Sequence, residues 1–348
     1  MSRTDAYAVF RVANYRRYFI GNLMGIVGIQ MLGIAVGWEV YERTGSNMKL
    51  GYIGLAQYLP ILLFTLPAGQ VADRFNRKVI LMLSLALTSA AAFALCWLSM
   101  NHGRVEWIYG CLFLIGFSRA FQGPARSALV MQIVPREVFQ NAVAWGSNAF
   151  EIATVTGPAL GGLMIAFFGK ATWVYLVTAT VALIYIVLLT GVTQPNAAEH
   201  REPITWPGFI SGLKYVWSSK VITASISLDL FAVLLGGAVT LLPVYAKDIL
   251  KVGPSGLGWM RAMPSIGAVI MSFVIAHRPA IRNAGRTLLL TVAGFGIATI
   301  IFGLSTQIWL SLLMLALVGA FDNISVVIRQ TLVQLQTPES LRGRVSAV

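Results

Sequence analysis

Runs of about twenty consecutive apolar residues dominate this chain, and a run of that length is what an α-helix needs to cross a hydrocarbon layer roughly 30 Å thick. Ten can be marked: 18–41, 50–72, 79–100, 107–133, 142–167, 172–192, 221–245, 254–276, 287–305 and 308–334. They are apolar on every face, whereas the strands of a membrane β-barrel alternate in polarity over about ten residues, so a barrel is excluded. Of 348 residues, 57% are hydrophobic and only 11% charged. An all-α integral membrane protein is predicted. The first run exceeds the apolar core of a signal peptide, about 7–15 residues, so the first helix is expected to persist.

A net charge of +13 raises the question of nucleic acid, and the distribution of that charge answers it. With the N-terminus in the cytoplasm, the inner segments hold 16 Lys and Arg and the outer loops 6. That is the positive-inside bias of a membrane protein, so the partner is the lipid bilayer and no nucleic acid is needed. A multi-pass protein of a bacterial inner (cytoplasmic) membrane is expected, with both ends cytoplasmic. Cys96 and Cys111 fall inside apolar runs, and the three histidines fall in loops without ligand spacing. No metal or cofactor is expected.

The chain also repeats itself. A shift of 203 residues places Gly116 on Gly319, Arg126 on Arg329, Leu129 on Leu332 and Pro135 on Pro338; a shift of 204 places Gly54 on Gly258, Pro60 on Pro264 and Arg74 on Arg278. Six helices therefore make one repeat, and an even number keeps both copies in the same orientation, the parallel-repeat plan of two-bundle transporters. The expected domains are a six-helix bundle at 1–193, a cytoplasmic linker with a short interfacial helix at 194–220, and a second bundle at 221–348. That second bundle has four predicted helices, so ten of an expected twelve are present. Either the chain is a piece of something longer or it is a shortened product.

Three motifs carry a family resemblance. "GQVADRFNRK" resembles the loop between helices two and three of the major facilitator superfamily through Gly69, Ala72, Asp73, Arg74, Arg77 and Lys78, and departs from it at Val71 and Asn76. "RAFQG", from Arg119, is similar to the Arg-x-x-Gln-Gly of the fourth helix, and "GPALGG" to the Gly-Pro-x-x-Gly-Gly of the fifth helix in proton-driven antiporters. "GPARSALVMQIVP", "LPVYAKDIL" and "TPESLRGRVSAV" resemble the enterobactin-exporter-like branch. The resemblance implies a two-bundle helical fold of the major facilitator type. It implies that Asp73, with Gly69, Arg74, Arg77 and Lys78, forms a cytoplasmic gate against the opposite half. It also implies that helices one, four, seven and ten line a central cavity.

Charges within the runs point to the chemistry. Glu39, Arg126 and Arg329 lie close enough to an interface to snorkel. Arg119, Glu151, Asp229, Arg261 and Asp322 do not, and at about 3 kcal/mol each such charges must pair or face water. Arg119 and Asp322 are repeat equivalents. A carboxylate beside a movable arginine can take up and release a proton, so Asp229, then Asp322 and Glu151, are the expected proton-coupling residues, with Arg119 as their partner. A permanent ion pair between the halves is the alternative for Arg119 and Asp322. Arg261 is placed to pair with Glu39 as an outer gate. Gly157, Pro158, Gly161 and Gly162 are expected to bend and closely pack the fifth helix. Asn22, Gln30 and Gln57 are candidate contacts for substrate.

The function these observations favour is a monomeric secondary active transporter, exporting a small-molecule substrate (a drug, siderophore or metabolite) by alternating access in exchange for protons. A nutrient importer or facilitator, and a non-transporting scaffold, are the alternatives. The sequence holds no phosphate-binding loop, so ATP-driven transport is not expected, and no nucleophile–base pair or His-rich metal cluster, so an enzyme is not expected.

Overall fold

The computed structural model describes residues 7–193, 238–276 and 284–336, with a few positions between 217 and 230. Nine long helices form among the described residues. In the first repeat they are α1 (Ala13–Thr44), α2 (Asn47–Arg74), α3 (Arg77–Met100), α4 (Val105–Ile133), α5 (Phe139–Phe168) and α6 (Thr172–Thr190). In the second they are α7 (Gly253–Ala276), α8 (Ala284–Leu304) and α9 (Ile308–Gln336). Seven of these, all but α2 and α4, meet both the length and the hydropathy needed to cross a bilayer. The expected span 221–245 lies largely outside the described residues; its end is a short 3-10 turn, Ala238–Leu241, leading through Leu242–Val244 into a π turn, Tyr245–Ile249.

Local chemistry accounts for the helix ends. Gly45 closes α1 in the left-handed conformation at φ 59°, Ser46 caps α2, and Gly169 closes α5 at φ 72°. Both positive φ values suit a residue without Cβ. Asn76, the departure noted in the loop motif, is the N-cap of α3: its side chain accepts from the backbone N–H of Lys78 at 3.0 Å and of Val79 at 3.3 Å. A glycine there could not do so. Pro60, Pro67, Pro124 and Pro158 lie inside their helices.

Two compact units emerge. The first comprises residues 1–202 together with 243–261, and the second 203–242 with 262–348. The chain therefore passes from one unit to the other inside α7. In the first unit α1 is the hub, packing on α5 and α6; α2 packs on α4, and α3 on both α4 and α6. Small residues make this possible. The Tyr185 ring of α6 lies on Gly21 and Gly25, and Gly28 meets Thr178, whose hydroxyl donates to the Gly28 carbonyl at 2.9 Å. From Ile34 to Tyr41 every residue of α1 is buried.

In the second unit α8 packs on α9, Gly267 meets the backbone of Ala316, and Gly319 meets that of Pro264. The repeat is visible in the helices themselves. α4 and α9 are both 29 residues long, and their first and last residues are each 203 apart.

Candidate functional site

The residues singled out for proton coupling fall as follows. Arg119 is half-buried on α4, Asp322 is half-buried at the same position along α9, and Glu151 is exposed on α5. Asp229 lies outside the described residues. Arg119 is within electrostatic reach of Tyr58 on α2 and of Arg126, one further stretch along its own helix. Arg261 also has Tyr58 as an electrostatic neighbour.

Glu39 corrects a reading made from the sequence. It neither snorkels nor meets Arg261: the residue is only 5% exposed, and its carboxylate forms an ion pair with Arg43 one turn on and accepts from the Tyr175 hydroxyl of α6 at 2.6 Å. Arg43 in turn donates to the carbonyls of Gly103 and Ser99, tying α1 to the α3–α4 turn. At the same end the Tyr41 hydroxyl donates to Asp248, and Tyr109 donates to the Lys49 carbonyl at 2.9 Å. A buried charge needs such a set of partners. The sequence contained the i, i+4 spacing of Glu39 and Arg43, but Arg43 looked like a loop residue because α1 outruns the apolar run.

A second polar network runs through the middle of the first unit. Thr88 and Ser118 share a hydrogen bond of 2.7 Å, and the Gln122 amide donates to both, at 3.1 and 2.9 Å. The Gln122 oxygen accepts from Arg126 at 3.4 Å. The glutamine of the "RAFQG" motif is therefore fixed by α3 and directed toward Arg126. Nothing in the spacing of isolated Ser and Thr residues would have revealed this.

The gate motif is partly structural. Lys78, at the start of α3, donates from Nζ to the carbonyls of Thr190 at 3.0 Å and Val192 at 2.8 Å, at the C-terminal end of α6. A cation there satisfies carbonyls the helix leaves open and complements its dipole. Arg74 is exposed, Arg77 half-buried, and Gly69 half-buried with open space where a Cβ would stand; Asp73 is the penultimate residue of α2.

"GPALGG" is a packing device with two faces. Gly157 meets Val27 and Gln30 of α1, and Gly161 meets Met31. Gly162 instead meets Pro254 and Gly258 at the start of α7, while the Pro158 carbonyl approaches Gly258. α5 runs through Pro158 without interruption. Of the candidate substrate contacts, Asn22 is buried inside the first unit, and Gln30 and Gln57 are half-buried. Trp38 is buried within α1, and Tyr245 opens the π turn.

Comparison with known proteins agrees with this architecture. Residues 4–348 match the family described as transmembrane secretion effector. The chain is 26% identical over 329 residues to the multidrug efflux pump Tap of Mycolicibacterium fortuitum, covering 90% of this chain and 79% of that protein. It is 25% identical over 344 residues to the enterobactin exporter EntS of Shigella flexneri, covering 96% and 80%. Among solved structures, an inward-facing bacterial homologue of the lysosomal transporter Spinster superposes with a TM-score of 0.70 at 17% identity, over 96% of this chain and 78% of that one. A bacterial homologue of the iron transporter ferroportin gives 0.68 at 18% identity, over 98% and 87%. The family match, which spans nearly the whole chain, makes it a transporter and not an enzyme: the chain belongs to the transmembrane secretion effector family of the major facilitator superfamily.

Proposed function

We propose that the chain is a proton-driven exporter of a small molecule, working by alternating access in a bacterial inner membrane with its N-terminus in the cytoplasm. The observation that carries this reading is the family match across residues 4–348, with an efflux pump and a siderophore exporter among the relatives. The charges within the helices support it. Arg119 and Asp322 stand at equivalent positions of the repeat-related helices α4 and α9, and a passive bundle has no reason to bear the insertion cost of such groups. Asp229 and Glu151 are the further proton-coupling candidates. Asp73, Gly69, Arg74 and Arg77 form the cytoplasmic gate, and the excess of Lys and Arg in alternate loops favours the orientation.

Inverted membrane vesicles energised to an acid interior test the reading. Adding a transported compound should dissipate the pH gradient and drive accumulation of that compound, and a protonophore should abolish both. Uptake that only equilibrates the compound and is indifferent to the protonophore would remove proton coupling and leave a facilitator.

A further inference from the structure

Polar side chains of α1, α4 and α6 gather near one end of the first unit, and three of them hold an atom that no neighbour satisfies. The Tyr185 hydroxyl and Asn22 Oδ1, on residues 1% and 4% exposed, have no hydrogen-bond partner among the described residues, and the same holds for Nε of half-buried Arg126. They belong to one neighbourhood. The Tyr185 ring lies on Gly21, beside Asn22, and is 6.4 Å from the Tyr18 ring. Tyr18, one turn before Asn22 on α1, and Tyr185 are both within electrostatic reach of Arg126. Tyr18 and Tyr185 share an apolar cluster with Ala125 and Leu129, which flank Arg126 on α4.

The ends of these helices lie together. Asn14 bonds Thr193, Arg17 bonds the Gly191 carbonyl, and Tyr15 bonds the Ala142 carbonyl. Along their helices Tyr18, Tyr185 and Arg126 are each within about 11 Å of that end, and Asn22 about 14 Å, at 1.5 Å per residue.

An arginine keeps its charge, and a buried polar group left without a partner is destabilising. Among the described residues no carboxylate pairs with Arg126, whose one protein acceptor is the Gln122 oxygen at 3.4 Å. Water would fill the hydrogen bonds and leave the charge uncompensated. The free groups are two donors, Arg126 Nε–H and Tyr185 O–H, and one acceptor, Asn22 Oδ1. Their complement is an anionic oxygen that accepts twice, next to a hydroxyl that donates once.

We propose that Arg126, Tyr185, Tyr18 and Asn22 form a binding site for a hydroxycarboxylate group within the first bundle. The carboxylate lies against Arg126 and Tyr185, and the neighbouring hydroxyl donates to Asn22. Gln122, itself fixed by Thr88 and Ser118, accepts from Arg126, which makes Gln122 a positioning residue.

The test is equilibrium binding of glycolate to the full chain in lipid nanodiscs, read as a shift in thermal unfolding against chloride at equal ionic strength. A saturable shift is expected, weakened at least tenfold in affinity by Tyr185→Phe, which removes one hydroxyl and keeps the packing, and lost in Arg126→Gln. No saturable shift over chloride, or equal affinity in Tyr185→Phe, overturns the site and leaves water as its occupant. Two sources of the anion are separable with labelled glycolate in proteoliposomes. Transport blocked by Tyr185→Phe assigns the site to cargo; binding without transport assigns it to a resident anion, and either supports it. Because binding is read without a gradient, its failure leaves the exporter reading standing, and loss of proton coupling leaves the site standing.

Discussion

Gly319 lies against the backbone of Pro264 in the second unit as Gly116 lies against Gln57 and Pro60 in the first. The two glycines are repeat equivalents, and so are the two prolines. Proline removes one backbone N–H and leaves its helix with an irregular surface, and a glycine on the facing helix lets the two backbones close on it. The same joint has been kept in both copies.

A side chain at either glycine meets backbone, which cannot yield as a flexible side chain does. Gly116→Val and Gly319→Val should each destabilise the protein by about 1–3 kcal/mol. Thermal unfolding in detergent measures this, and a pair of unchanged midpoints would dismiss the joint.

Glu39, Arg43 and Tyr175 form a buried charged set. Removing one partner of a buried pair strands the other, at a cost of about 3–5 kcal/mol. Arg43→Met should therefore reduce the yield of folded protein severely, and the double change Glu39→Gln with Arg43→Met should recover part of the loss. Tyr175→Phe removes only one hydrogen bond to the carboxylate, about 1.5–3 kcal/mol. Equal stability of Arg43→Met and the double variant would show that the pair is not coupled.

Lys78 and Asp73 share a motif and should separate by experiment. Lys78→Met loses two hydrogen bonds to the end of α6 and should lower stability by about 1 kcal/mol, with little change in turnover per folded molecule. Asp73→Asn should slow turnover with little change in stability. If the two phenotypes were exchanged, the gate would have to be reassigned to Lys78.

Asp229→Asn and Asp322→Asn are expected to abolish gradient-driven export while leaving binding of cargo intact, since an amide keeps the shape and cannot exchange a proton at neutral pH. Counterflow, which needs no net proton movement, should survive in both. Export at the normal rate in either variant would remove that residue from the coupling.

The apolar runs were legible because lipid demands them, and the helices follow them closely: 172–192 became Thr172–Thr190, and 308–334 became Ile308–Gln336. Several helices outrun their apolar stretch, as α1 does in beginning at Ala13 and ending at Thr44. Helix hydrogen bonding continues into the interface, where polar side chains are welcome. That extension hid the Glu39–Arg43 pair.

The role of Asn76 was hidden for another reason. It read as a departure from a motif, while a capping side chain shows its purpose only once the helix start is fixed. The Gln122 network was hidden because it joins α3 to α4 through single Ser and Thr residues whose facing depends on how the two helices are rotated. The contact of Arg126 with Gln122 was hidden likewise, because depth along a helix says nothing about which neighbours a side chain has.

The seam where Gly162 and the Pro158 carbonyl meet Gly258 and Pro254 is backbone on backbone. No side chain stands between the two glycines, so a side chain added at Gly162 or at Gly258 would strike backbone of the facing segment. A methyl group at either position would therefore wedge α5 and the first turns of α7 apart, because backbone has no rotamer with which to make room.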